Sequence, residues 1–231
     1  MITLEALVND FAVRSFRDIA DGDYIAARIA CRAALVTQFL WASQQTVEKY
    51  LKCILLLNRV EAKKVRHDLR KALRKIKGSG KISLKLTRGT EAFIEMLDDY
   101  GQFRYFEVSN FAFGAQLIRL DRTTWELRRY CTLAEEPKEK NLRNGFAAPL
   151  VRVPGGELER IIDDAKDPAR EPLLWQNAFF GKRTRKGIRL KNWLKAHNAP
   201  LYLNPQILDE VLKYVLIPKE MEAGYRAHTK Q

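Results

Sequence analysis

The sequence predicts an all-α fold: an antiparallel up-and-down helical bundle over residues 1–134, followed by a C-terminal, mainly helical extension over 135–231. Three observations lead there. Apolar residues recur every three or four positions in several long segments, the period of a helix with one buried face. Alternating β-branched and aromatic runs, the signal of strands, are nearly absent. A hydrophobic content of 46% with 10% aromatics over 231 residues is enough for a sizeable core and argues against global disorder.

Asp21 or Asp23 is placed to cap a first helix running to about residue 36, with Ile25, Ile29, Ala33 and Val36 on one face. The next helix spans about 37–58. Its Leu40, Val47, Tyr50, Leu51, Ile54 and Leu57 form an apolar stripe that Ala42, Cys53 and Leu56 widen, so it belongs at the centre of a bundle or in a dimer. Glu48 and Lys52, four apart, read as a favourable pair on its outer side. A polar connection leads to a basic helix near 68–77 with Leu69, Leu73 and Ile76 inward, ended by Gly78-Ser79-Gly80. A third long pattern begins near Thr90 and carries Phe93, Met96, Leu97, Tyr100 and Phe103. A fourth runs over about 111–131 with Phe113, Leu117, Leu120, Leu127 and Cys131. Residues 135–145 read as a polar linker. Beyond it, Leu158, Ile161, Ile162 and Ala165 suit one helix, and Leu190, Trp193 and Leu194 another. Asn204 followed by Pro205 marks a further helix start, and Pro218 its stop.

The net charge of +13 is concentrated in two places. Residues 59–88 hold twelve Lys and Arg against Glu61 and Asp68, a local +10. Residues 172–208 hold seven, all between Lys182 and Lys195, and no acid, a local +7. Two such surfaces suit a polyanion, nucleic acid or nucleotide phosphate; a solvated, solubilising face is the plainer reading. In the second, Trp175, Phe179, Phe180 and Trp193 flank or interleave Lys182, Arg183, Arg185 and Lys186. Aromatic rings among cations suit the stacked bases of single strands. The same rings would also serve to anchor the extension on the bundle.

Cys31, Cys53 and Cys131 lie far apart without CxxC spacing, which argues against a zinc ribbon or a disulfide framework and fits a reducing, cytoplasmic compartment. Residues 1–16 lack the apolar run of a signal peptide, and no stretch approaches the roughly 20 apolar residues of a membrane helix. No cofactor or metal is expected. No Ser/His/Asp or metal-ligand cluster is present, and Gly78-Ser79-Gly80-Lys81-Ile82 has neither the spacing nor the Ser/Thr of a P-loop.

The run DYIAARIACRAALVTQFLWASQQTVEKYLKCILLLN at 23–58, then RHDL at 66–69 and LDDYGQFRYFE at 97–107, resembles the HEPN domain over about residues 20–130. The features that carry the resemblance are Glu48, Lys49 and Lys52, then His67, Asp68 and Leu69, then Leu97, Asp98, Arg104 and Tyr105. It implies an all-α bundle that forms a homodimer through its central helices. It also implies a nucleotide- or RNA-binding role, beside a nucleotidyltransferase partner or within a toxin–antitoxin or defence system. One branch of that family cleaves RNA without metal, through Arg, a spacer of four to six residues, then His. The His moves a proton from the 2′-hydroxyl while the Arg offsets charge on the phosphate. Here the positions ahead of His67 hold Val60, Glu61 and Ala62; ahead of His197, Leu190, Lys191 and Asn192; ahead of His228, Met221, Glu222 and Ala223. None is Arg. A His67–Arg104 pair brought together by the fold is the remaining route to a divergent ribonuclease. A non-catalytic protein-interaction scaffold is the other alternative.

The candidate nucleotide- or RNA-binding residues are Lys49, Lys52, Lys63, Lys64, Arg66, His67, Arg70, Arg104, Tyr105, Lys182, Arg183, Arg185 and Lys186. Arg66, His67 and the N-terminus of the basic helix would receive a phosphate. The competing readings are structural. Asp68 caps that helix with His67 packed beside it, Lys49 lies over apolar neighbours, and Arg104 meets a helix C-terminal carbonyl or pairs with Asp98 or Asp99.

Overall fold

The computed structural model describes residues 4–101, 110–131, 156–181, 194–197, 204–215, 217 and 219–228. Leu4–Ala12 (α1), a π turn at Val13–Arg17 and Asp18–Arg32 (α2) form one uninterrupted helical run. Asp21 and Asp23 therefore lie inside a helix, not at its start. The inner face of α2 is also not the one its aliphatic residues predict. Ala20, Tyr24, Ile25, Ala27, Arg28 and Cys31 are buried, whereas Ile29 is 47% exposed. Tyr24 and Arg28 face inward because acceptors await them there, a pairing that apolar periodicity alone does not register.

A turn at residues 33–35, with Ala34 in the left-handed region at φ 60°, leads into Val36–Leu57 (α3). Leu40, Val47, Tyr50, Leu51, Ile54 and Leu57 are each 1% exposed or less. Leu69–Gly78 (α4), Arg88–Gly101 (α5) and Gly114–Arg128 (α6) close around α3 together with α2. The apolar stripe of α3 is thus covered by the chain's own helices. In α4, Leu69, Ala72, Leu73 and Ile76 are the buried side.

Asn110–Phe113, placed by the sequence at a helix start, is a strand (β1) antiparallel to Leu194–His197 (β2), with Asn110 opposite His197 and Phe113 opposite Leu194. Phe111 and Phe113 stand two apart, the strand period, and aromatic residues suit a pleated surface. The same pairing corrects the helix expected around Leu194. Otherwise the described architecture is all-α. A 3₁₀ turn, Arg129–Cys131, ends the bundle sequence.

Glu157–Asp163 (α7) and Arg170–Leu174 (α8) follow. Leu158, Ile161, Leu173 and Phe180 join the same hydrophobic core as α2, α3 and α6, while Ala165 is exposed. The linker expected at 135–145 lies outside the described residues. Near the end, Asn204 precedes a 3₁₀ turn at Pro205–Ile207 and a single helical turn at Leu208–Val211, so the predicted helix does not continue to Pro218. A separate helix, Lys219–His228, follows, and Leu208, Ile217 and Tyr225 make a small cluster of their own.

Two buried polar centres tie residues 156–181 to the bundle. Arg128 donates from Nε and Nη2 to the two carboxylate oxygens of Asp21, 2.8 Å each, and from Nη1 and Nη2 to Glu159 at 2.6 and 2.7 Å. The Tyr50 hydroxyl donates to the same Asp21. In the second centre Arg28 pairs with Asp121, both side chains fully buried. The Tyr24 hydroxyl donates to Asp121 at 2.6 Å and accepts from Asn177 at 2.8 Å. Arg28 also donates to the carbonyls of Pro172 and Trp175. Burial pushes the Asp21 and Asp121 carboxyls above the usual aspartate range, against the pull of their arginines. Burial likewise pushes the Cys31 thiol up to about 12, which makes it unreactive at neutral pH.

Candidate phosphate-binding surface

The connection from α3 to α4 is shaped by one apolar side chain. Val65 is 2% exposed, and flanking turns close through Val65 N–H to Ala62 O and Asp68 N–H to Val65 O. With Val65 inward, Lys63, Lys64 and Arg66 stand exposed around it. Arg66 takes a left-handed backbone at φ 52°, uncommon for a residue with a Cβ.

His67 follows, half-exposed at 51%, with Nδ1 2.9 Å from Oε2 of Glu48. Glu48 is itself 6% exposed, and its other oxygen accepts from Lys52 at 2.6 Å. Gln44, one turn earlier, donates to the carbonyl of His67. Residues 44, 48 and 52 thus form a ridge along α3 that holds the loop by its histidine. The Glu48–Lys52 pair is not a plain surface pair, since Glu48 is buried beneath the loop. Nδ1 is committed, so only Nε2 of His67 is left for a further contact.

The N-terminus of α4 is already occupied by carboxylates. Leu69 N–H donates to Asp98 and Lys71 N–H to the N-cap Asp68, both at 2.6 Å. A phosphate arriving there would meet two acids instead of free N–H groups. Burial, as the largest effect, raises the Asp98 carboxyl.

The twelve cations of residues 59–88 fall into two sets. Arg70 forks onto Asp99 at 2.6 and 2.9 Å, Lys77 pairs with Glu91 at 2.6 Å and Lys75 with Glu61 at 3.7 Å. Lys81 donates to the carbonyl of Arg59, and Arg59 to Asn9. Among the described residues, Lys63, Lys64, Arg66, Lys71, Arg74, Lys85 and Arg88 have no acid partner. Lys71 and Arg74, three apart on α4, point away from its buried side. They escape simple motif reading, although their offset from Leu69, Leu73 and Ile76 carries the signal.

Other predicted residues have different surroundings. Lys49 is held by Asp23 and Gln45, and both Lys49 and Lys52 are partly buried. Trp175, Phe179 and Phe180 serve the fold: Arg32 lies over the Trp175 ring at 5.4 Å, Arg122 over Phe179 at 6.0 Å, and Phe180 packs on Tyr24 and Trp125. Arg104, Tyr105, Lys182, Arg183, Arg185, Lys186 and Trp193 lie outside the described residues. Among the described residues, no group of three His, Cys, Asp or Glu is arranged to hold a metal ion, and no helix is long and apolar enough to cross a membrane.

No curated protein and no solved structure matches the sequence. The family model of the HEPN domain matches residues 13–137, from the π turn through α6 and its closing 3₁₀ turn. That span is more than half of the 231 residues and contains the α3 ridge and the cation-bearing turn. The chain belongs to the HEPN domain family.

Proposed function

We propose that this protein is a nucleotide- or RNA-binding module that contacts phosphates through Lys63, Lys64, Arg66, Lys71 and Arg74, with His67 at the edge of the patch. One observation carries the reading: these five cations lie within residues 63–74, are exposed or, at Lys71, half-exposed, and lack an acid among the described residues. A paired lysine has its charge largely cancelled. An unpaired one retains counterions, and their release on phosphate contact drives binding. The membership of a nucleotide- and RNA-related family agrees with this.

The test is binding of a labelled single-stranded RNA across a salt series. The triple variant Lys63→Glu, Lys64→Glu, Arg66→Glu is expected to lose most affinity and to flatten the salt slope. Lys77→Ala, whose charge Glu91 already meets, is expected to bind like the parent. A triple variant with the parental slope would remove the proposal.

A second reading rests on the Glu48–His67 contact. An imidazole fixed through Nδ1 by a carboxylate is the arrangement of a general base. Here it sits beside free cations that suit a phosphate. A divergent ribonuclease would then lose cleavage in both His67→Ala and Glu48→Gln. Equal RNA cleavage by His67→Ala and parent dismisses this histidine.

A further inference from the structure

The outer side of α6 carries cations and one indole. The two acids of that helix turn inward and are met there: Asp121 by Arg28, and Glu126 by the N–H and hydroxyl of Thr87 at 2.8 and 3.0 Å. Exposed on α6 and the turn that closes it are Ala115, Arg119, Arg122, Trp125 and Arg129, which together span about 120° of the helix girth. The start of α5 runs alongside. A Cβ at Gly89 would lie 3.4 Å from Arg122 Nη1, and Arg129 donates to the carbonyl of Lys85 at 2.7 Å. Lys85 and Arg88, both exposed, flank the same side. Lys85, Arg88, Arg119 and Arg122 have no acid partner among the described residues.

Trp125 stands within these cations, 47% exposed. A lone exposed apolar ring is ordinary, but this one is braced. Phe180, 6% exposed, meets it edge-to-face with centroids 5.7 Å apart. The N–H groups of Phe179 and Phe180 both donate to Oδ1 of the buried Asn177, at 2.9 and 3.0 Å. That holds Phe180 behind the indole, and Phe179 under Arg122 at 6.0 Å. The brace comes from residues beyond 137, so the family signature does not contain it.

We propose that this face binds single-stranded RNA, with a base stacked on Trp125 and phosphates on Arg119, Arg122, Arg88 and Lys85, an assignment that rests on the RNA-binding role given above. A ring already fixed loses little freedom when a base settles on it. Unpaired bases offer the free π-face that stacking needs, and the surrounding cations meet the backbone. A protein ligand is disfavoured, because four cations around one ring ask for dense, regularly spaced charge with flat apolar groups between.

The test is binding of a labelled oligouridine strand to the whole chain across a salt series. Trp125→Ala is expected to weaken it by roughly 5- to 150-fold with an unchanged salt slope and an unchanged helical circular-dichroism spectrum. Arg119→Gln and Arg122→Gln are each expected to lower the slope by about 0.7. An abasic strand of the same length is expected to bind parent and Trp125→Ala alike. Ultraviolet cross-linking of oligouridine to the unmodified protein, which no folding defect can confuse, is expected to mark the peptide holding Trp125. Equal binding by Trp125→Ala and parent, while Lys63→Glu, Lys64→Glu, Arg66→Glu loses affinity, overturns this face and leaves the earlier patch standing. A parent that binds no RNA overturns both. Equal losses for oligouridine and the abasic strand, no mark at Trp125, or displacement by polyglutamate as effective as by RNA each overturn the stacking site.

Discussion

At the seam between α2 and α6, Arg28 and Arg128 are buried, each against an aspartate and further acceptors from residues 156–181. In the turn before α4, Lys63, Lys64 and Arg66 face water with no acid among the described residues. The two regions draw on the same residue types for opposite ends. A guanidinium removed from water is tolerated only when it is matched, so its partners are dictated by the fold. A cation left in water loses almost nothing by standing alone. Its charge is then available to a ligand. Density of Lys and Arg along the chain therefore says little about role, and the presence of an acid nearby says much.

The comparison is broken most directly at Arg28. Arg28→Ala leaves Asp121 buried without its partner and is expected to cost about 3–5 kcal/mol in urea denaturation. Lys64→Ala is expected to stay within about 0.5 kcal/mol of the parent. Equal losses at the two positions would erase the distinction. Replacing both Arg28 and Asp121 by apolar residues of similar volume is expected to recover much of the loss, since a buried pair is worth little net.

Tyr50→Phe removes the hydroxyl donated to Asp21 and is expected to cost about 1–3 kcal/mol, because a buried acceptor loses one of its donors. Lys71→Ala and Arg74→Ala sharpen the other side. Each is expected to lower the salt slope of single-stranded RNA binding by about 0.7 while leaving the urea midpoint nearly unchanged.

Acidity gives the smallest effect and separates two kinds of carboxylate. At Glu159 burial acts upward, but the Arg128 hydrogen bond and charge prevail and its pKa is lowered. Its contribution is present above the ordinary glutamate range and is lost as pH falls through the lowered folded value. At Asp21 burial prevails and the pKa is raised. That contribution is present below the ordinary aspartate range and is lost as pH rises through the raised folded value. Urea midpoints measured as pH falls below the ordinary glutamate range are expected to fall less steeply for Glu159→Gln than for the parent.

Helices α3 and α4 were legible in the sequence because their buried sides are almost wholly apolar at steps of three and four. The face of α2 was not, because Tyr24, Arg28 and Asp21 are buried by virtue of Asp121, Asn177 and Arg128, about 93 to 153 positions away. Glu48 and His67 each stood out alone, but their contact across 19 positions depends on how Val65 anchors the turn. Whether a cation near α4 is free was equally hidden, since Lys77 is claimed by Glu91 from the next helix while Lys71 is not.

The acceptors of Arg28 and the outer partner of Arg128 have a practical corollary. The family signature stops at residue 137, yet Glu159, Pro172 and Trp175 lie beyond it. An amputated chain ending at that signature would leave Arg28 and Arg128 each with an aspartate but without their outer acceptors, and would uncover the apolar ground under Leu158, Leu173 and Phe180. The portion that comparison recognises is thus smaller than the portion able to stand by itself, and expression of the former alone should yield aggregate.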